Sequence, residues 1–299
     1  MTTRTRFERP KPSTYSIVAF DYETKSLGVA VQSKFISVGS VVPWASWNVG
    51  AVATQAYANT SYGPGGLRLL GKGYTPEETV RKLIARDKGR EERQIGIVDR
   101  RGRSATFTGK KCVEWAGGMA GDGYAAQGNI LVGEETVTAM ARTFEKSTAS
   151  FPQKLIACLH AAQKAGGDKR GMQSAAILVV KNRGGYAGFN DRYLDLRVDE
   201  HTSPIDELER IYRLYRFVML RGEEEETLKI EGKVCLELQH NLVRLGFYNG
   251  PVDGRMNRTL NRALNDYLSS NNFENRKTPR AHIYATVLEY MAKDKRKKV

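Results

Sequence analysis

From residue 14 the chain runs as short stretches rich in valine, isoleucine and alanine, 14–20, 27–33, 36–42 and 49–54, parted by turn residues such as 21–26 or Gly39. These read as strands joined at hairpin length. Connections this short join antiparallel neighbours, because a parallel pair needs a crossover of a dozen residues or more. A doubly wound parallel sheet is therefore not expected.

A helix follows over PEETVRKLIARD, with Pro76 in its first turn and Thr75 as N-cap. Strands resume at 94–99 and 103–108 around the turn 100–102, and 112–127 reads as further short strands broken by glycines. Two helices come next. Over 134–146, Val137, Met140, Ala141 and Phe144 recur at i, i+3, i+4, i+7, and 152–164 follows. Stretches 175–181 and 194–198 close the series as strands. Two antiparallel sheets face to face with helices outside would bury every apolar face, so the expected class is α+β, a four-layer αββα sandwich.

After His201 the texture changes. Residues 204–221 form an amphipathic helix with Ile205, Leu208, Ile211, Tyr212, Tyr215 and Val218 as its buried stripe, and the acidic run 223–226 follows. Residues 233–292 read as three helices, one interrupted by the tight loop LGFYNGPVDG. The expected organisation is a basic leader 1–13, a sandwich domain 14–203, a linking helix and acidic run 204–226, a small all-α module 227–292 and a basic tail 293–299.

The net charge of +14 would suggest a nucleic-acid partner if it lay on one face. It does not: residues 1–12 hold four bases and one acid, and residues 293–299 five and one, so half of the excess belongs to the two ends. No basic motif interleaved with aromatics occurs, and nucleic-acid binding is not expected. Three scattered cysteines exclude a disulfide framework and a cysteine zinc site. The first residues carry no apolar stretch of a secretory signal, and the longest apolar run, 175–180, is too short for a membrane span. The chain reads as cytoplasmic, without a membrane partner, and as a homo-oligomer.

Most familiar catalytic and ligand-binding motifs are absent from the sequence. Gly66 to Lys72 reads G-L-R-L-L-G-K, like a phosphate-binding loop, but Gly73 stands where the magnesium-binding Ser or Thr belongs and the interior is helical in character. The four histidines are far apart and form no ligand or triad spacing, so no metal and no cofactor are expected. What remains is a set of polar residues at strand ends beside glycines. QSKF holds Gln32, Ser33 and Lys34; TQAYANTSYGPGG holds Thr54, Gln55, Asn59, Ser61 and Tyr62; AAQGN holds Gln127, Gly128 and Asn129; GGDKRGMQS holds Asp168, Arg170, Gln173 and Ser174. Such residues either cap turns or form the site that a rigid scaffold exposes.

Together, TYSIVAFDYETKSLGVAVQSKFISVGSVVPWA, VGAVATQAYANTSYGPGGL, QGNILVG and AGGDKRGMQSAAILVV resemble the domain-of-unknown-function family ten-twenty-eight, placed among N-terminal-nucleophile (Ntn) hydrolase-like proteins. The stretch LQHNLVRLGFYNGPVDGRMNRTLNRALNDYL is similar to a peptidoglycan-binding-like module. The first resemblance implies the αββα sandwich and an amidohydrolase acting on a small linear, acylated or peptide amide. It implies Thr14 as nucleophile, freed by cleavage after Ser13, with its own α-amine as base at a pKa of about 8. Ser16, on the same face, is the alternative nucleophile. Ser33 and Lys34 would stand beside the nucleophile, Lys34 lowering its pKa. Backbone N–H groups near Gln127, Gly128 and Asn129 would form an oxyanion hole, and Asp168 would hold the amine or Lys34. Gln55, Asn59, Tyr62, Arg170, Gln173 and Ser174 would bind substrate. The second resemblance implies a glycan, peptide or protein ligand at Tyr248, Asn249 and Asp253. The competing expectation is a non-catalytic sandwich scaffold whose helical module does the binding.

Overall fold

A computed structural model describes residues 14–220, 226–279 and 281–295. The leader 1–13, most of the acidic run and the last four residues of the tail lie outside them. Two compact units divide the chain, residues 1–210 and 211–299.

The first unit is a four-layer αββα sandwich. One sheet has six strands: β1 (Thr14–Phe20), β2 (Leu27–Ser33), β7 (Gly117–Gly121), β8 (Tyr124–Asn129), β9 (Ser174–Val180) and β10 (Arg192–Val198). Their order is β10-β9-β2-β1-β8-β7, with every neighbour antiparallel. The other sheet, β3-β4-β5-β6, is built from β3 (Pro43–Ser46), β4 (Gly50–Ala56), β5 (Arg93–Asp99) and β6 (Ser104–Thr108). Helices α1 (Tyr62–Gly71) and α2 (Pro76–Ala85) cover the four-stranded sheet, and α3 (Glu135–Lys146) and α4 (Phe151–Lys164) cover the six-stranded one.

Alternation along β1 sorts its side chains. Val18 and Phe20 enter the layer between the sheets with Val29, Val31, Ala51, Val98 and Ala125. The helix layers follow their sequence signals. Thr75 and Glu78 close a capping box at the start of α2, and α3 buries Val137, Met140, Ala141 and Phe144 as its periodicity requires. Gly28 of β2 lets α4 come close, since a Cβ there would stand 2.8 Å from Leu155 Cδ1.

One expected strand moves. Residues 36–42 do not pair; instead Val38–Ser40 form a 3-10 turn and the strand begins at Pro43. The cause is tertiary: Val38 N–H donates to Ser174 Oγ at 3.1 Å, Ser174 Oγ donates to the Phe35 carbonyl, and Ser37 adopts φ 54°. These bonds turn the chain before local β-propensity acts. Pro43 then sits on an edge strand, where its missing N–H is harmless.

Helix α5 (Pro204–Met219) runs across the unit boundary. Among its described residues the second unit further contains α6 (Gly232–Arg244), α7 (Arg258–Ser270) and α8 (Ala285–Lys293), and adds to the expected helices a short antiparallel pair, β11 (Thr227–Lys229) with β12 (His282–Tyr284). Leu238, Leu242, Leu260, Leu264, Tyr267, Phe273 and Val287 form its core. Arg276, only 2% exposed, donates to the carbonyls of Arg216, Phe217 and Leu220 and so satisfies the open C-terminal end of α5.

Candidate functional site

The polar end of the inter-sheet layer begins at Thr14. As the first residue of β1, Thr14 stands opposite Ser33 of β2 and Asn129 of β8, and Ser16 stands opposite Gln127. Residues directly opposite share a face, so these five side chains point at the four-stranded sheet. That sheet presents Gln55 of β4 and Gln94 of β5, also opposite one another. All seven are buried, none more than 1% exposed.

Their hydrogen bonds form one network. Gln94 Oε1 accepts from Gln55 Nε2 at 2.8 Å and from Asn129 Nδ2 at 3.1 Å, while Gln94 Nε2 reaches the carbonyls of Gly128 at 2.7 Å and Gly117 at 3.1 Å and the hydroxyl of Thr108 at 2.9 Å. Gln55 Nε2 and Asn129 Nδ2 both donate to the main-chain carbonyl of Thr14, at 3.3 and 3.5 Å. The Thr14 hydroxyl lies 3.0 Å from Ser33 Oγ. Ser16 donates to Gln55 Oε1 and accepts from Gln127 Nε2 at 2.7 Å. Gly96 is what admits Gln127: a Cβ at that position would stand 2.0 Å from Gln127 Oε1.

Above this layer opens a cavity of about 530 Å³. Thr14 and Gln55 reach it from the amide layer, Phe35, Val38, Val41 and Val42 make an apolar wall, and residues 56–60 with Arg93 make a polar one. Ser16 does not line it. Two non-glycine residues at strand ends beside Thr14, Ala56 and Ile130, hold left-handed φ of 61° and 55°. For a β-branched residue such as Ile130 that conformation is strained, a feature that clusters at functional sites.

Arg93, the one charged wall residue among the described residues, is clamped. Arg93 Nε donates to Asp87 Oδ2 at 3.0 Å and its Nη1 to the Tyr57 carbonyl at 2.6 Å. Asp87 also accepts from Asn59 Nδ2 at 3.0 Å, Tyr62 OH at 2.9 Å and the Gly89 amide at 2.7 Å. Burial pushes the Asp87 carboxyl up, but the bonds from Arg93, Asn59, Gly89 and Tyr62 outweigh it and hold the group well below the carboxylate range. Burial, and then the bond to Asp87, push the Tyr62 phenol well up.

The remaining sequence-selected residues are placed elsewhere. Lys34 is exposed, outside the cavity lining, and its Nζ donates to the Met172 carbonyl at 3.2 Å. Asp168 accepts from the backbone amides of Lys34 at 3.1 Å and Arg170 at 2.8 Å, fixing the loop before β9. Its charge is felt by Tyr15, which faces α4 and donates to Gln163 Oε1 at 3.0 Å; burial first, then Asp168, raises that phenol's pKa. Arg170 stays by Asp168 at 3.7 Å, and Gln173 pairs through its backbone with Ser33 and His201. Ser174 shapes the cavity wall through Phe35 and Val38. Gly128 lies within the paired part of β8, where its missing side chain admits Leu131 Cδ1, 2.4 Å from an added Cβ. In the second unit, Tyr248 OH donates to the Pro251 carbonyl and Asp253 accepts from Gln239 Nε2 at 3.0 Å, both building the loop from within, while Asn249 is exposed. Among the described residues no group of three His, Cys, Asp or Glu is placed to hold a metal ion.

Gln94, Arg93, Asp87 and Gly96 are absent from the sequence-selected set. Gln94 carried the same signal as Gln55, a polar residue at one end of an apolar strand. The Arg93–Asp87 pair carried none, because it depends on the turn through Gly89.

Residues 14–208 match the family model described as "Family of unknown function (DUF1028)", and residues 218–291 match a model of a peptidoglycan-binding-like domain. No curated protein matches the chain. Among solved structures, the crystal structure of a Silicibacter pomeroyi protein assigned to the same family model is similar at 32% identity and TM-score 0.65, covering 70% of this chain and 88% of that one. No helix among the described residues is long and apolar enough to cross a membrane.

The Asp87 clamp makes a pH prediction. A carboxyl whose pKa is depressed by folding stabilises the protein above its unfolded pKa, about 4, and loses that contribution as pH falls toward the folded value. Asp87→Asn is therefore expected to cost roughly 2–3 kcal/mol at pH 7, with the gap to wild type closing between pH 4 and pH 2 in urea unfolding. A gap that is constant over that range would contradict the clamp.

Proposed function

The chain belongs to the DUF1028 family, and on that premise we propose that its first domain is an Ntn-type amidohydrolase with Thr14 as nucleophile, activated by cleavage of the Ser13–Thr14 bond. The observation that carries this reading is Thr14 itself, at the start of a central strand, with its carbonyl gripped by two amides and its side chain on a cavity of about 530 Å³.

After cleavage, the free α-amine takes the proton from Oγ1 as Oγ1 adds to the substrate carbonyl. The amine then returns that proton to the departing nitrogen, leaving an acyl ester on Thr14. Water, activated by the same amine, releases the acid and restores the hydroxyl. Ser33 Oγ, 3.0 Å from Oγ1, holds the Thr14 rotamer and would donate its hydroxyl to the developing oxyanion. Gln55 and Asn129 act as positioning residues through the Thr14 carbonyl. The cavity's volume falls within the range of small-molecule sites, and its walls, apolar on one side and polar with Arg93 on the other, favour a linear amide with an apolar acyl part and a polar end.

The second domain, by its resemblance to peptidoglycan-binding domains, is proposed to hold the hydrolase on a glycan. The full chain is expected to co-sediment with insoluble peptidoglycan; protein left in the supernatant would remove that role.

The nucleophile is tested by intact mass, N-terminal sequencing and reaction with a β-lactone probe. Wild type is expected to lose residues 1–13, begin at Thr14 and take up one probe; Thr14→Ser is expected to do the same, and Thr14→Ala to stay uncut and unlabelled. An uncut, unlabelled wild type would reject the reading.

A further inference from the structure

The stretch G-L-R-L-L-G-K is helical rather than a phosphate-binding loop, yet its two cations meet two others across a cleft. Arg68 and Lys72 lie four residues apart at the end of α1, and Lys82 and Arg86 four apart at the end of α2. Residues at that spacing share a helix face, and all four line one cavity of about 740 Å³. Like charges so spaced repel one another. Among the described residues none of the four has an ion pair. Asp87, the one acid in the lining, is committed to Arg93, Asn59 and Tyr62. Glu78, four residues before Lys82, is turned to the Thr75 amide at 2.8 Å. Tyr74 adds an aromatic wall, with Lys82 Nζ 4.5 Å from its ring centre.

Four exposed cations lining one concave site concentrate anions, and the two guanidinium groups match planar or tetrahedral oxyanions with paired donors. We propose that the cleft between α1 and α2 binds a small ligand carrying two or more phosphate or carboxylate groups. Arg68 and Arg86 grip oxyanion groups from opposite helices, and Lys72 and Lys82 neutralise the remaining charge. Asn59 lines both this cleft and the Thr14 cavity, so an occupant shares a wall with that chamber. The binding itself does not depend on Thr14 chemistry.

Calorimetric titration of the full chain with tripolyphosphate and, separately, with citrate tests this. One saturable site is expected for at least one of them: tripolyphosphate alone assigns the cleft to phosphates, citrate alone to carboxylates. Arg68→Gln/Arg86→Gln is expected to weaken binding at least tenfold, and Lys72→Gln/Lys82→Gln supplies the same comparison should the first variant misfold. Arg142→Gln/Lys146→Gln, which removes equal charge from α3, is expected to stay within twofold of wild type. Binding of neither anion, or a loss that is absent or equal in the cleft and α3 variants, overturns the proposal.

Discussion

The side-chain amide of Gln94 is the interaction on which the sandwich depends at its functional end. From β5 it bonds to Gln55 beside it in the four-stranded sheet and crosses to Asn129 and the Gly128 and Gly117 carbonyls of the six-stranded sheet. Apolar contacts elsewhere between the sheets are non-directional and tolerate sliding. A buried amide does not, since each partner left without a bond costs about 1–3 kcal/mol. The amide layer therefore fixes how the two sheets stand against each other, and the requirement for glycine at position 96 follows from it.

Thr14 inherits its place from that layer. Its carbonyl is held from both sheets, by Gln55 and by Asn129, and its hydroxyl meets Ser33. The neighbouring polar groups are divided by the pleat. Ser16 is used up between Gln55 and Gln127, and Asp168 serves its own loop and bears on Tyr15 on the face toward α4. Among the described residues the cation that lines the cavity is Arg93, held by Asp87, while Lys34 is exposed.

Much of this was legible in the chain. Hairpin-length turns force antiparallel pairing, so the order of strands and helices leads to the layered sandwich, and the α3 stripe and the α2 capping box are local signals that survive folding. The 36–42 stretch was misleading because its turn is made by Ser174, distant in sequence. Residues 282–284 and 227–229 pair over a separation that no short pattern reports. At the site, Gln55, Gln127 and Asn129 stood out as polar residues in apolar strands. Gln94 carried that same mark, whereas Arg93 and Asp87 become partners only through the turn between them.

Hydrogen–deuterium exchange on Gln94→Leu tests most directly whether one amide couples the two sheets beneath Thr14. Faster exchange is expected not only over residues 93–108 of the substituted sheet but also over 14–20 and 124–129 of the other. Loss of protection confined to 93–108 would contradict that coupling.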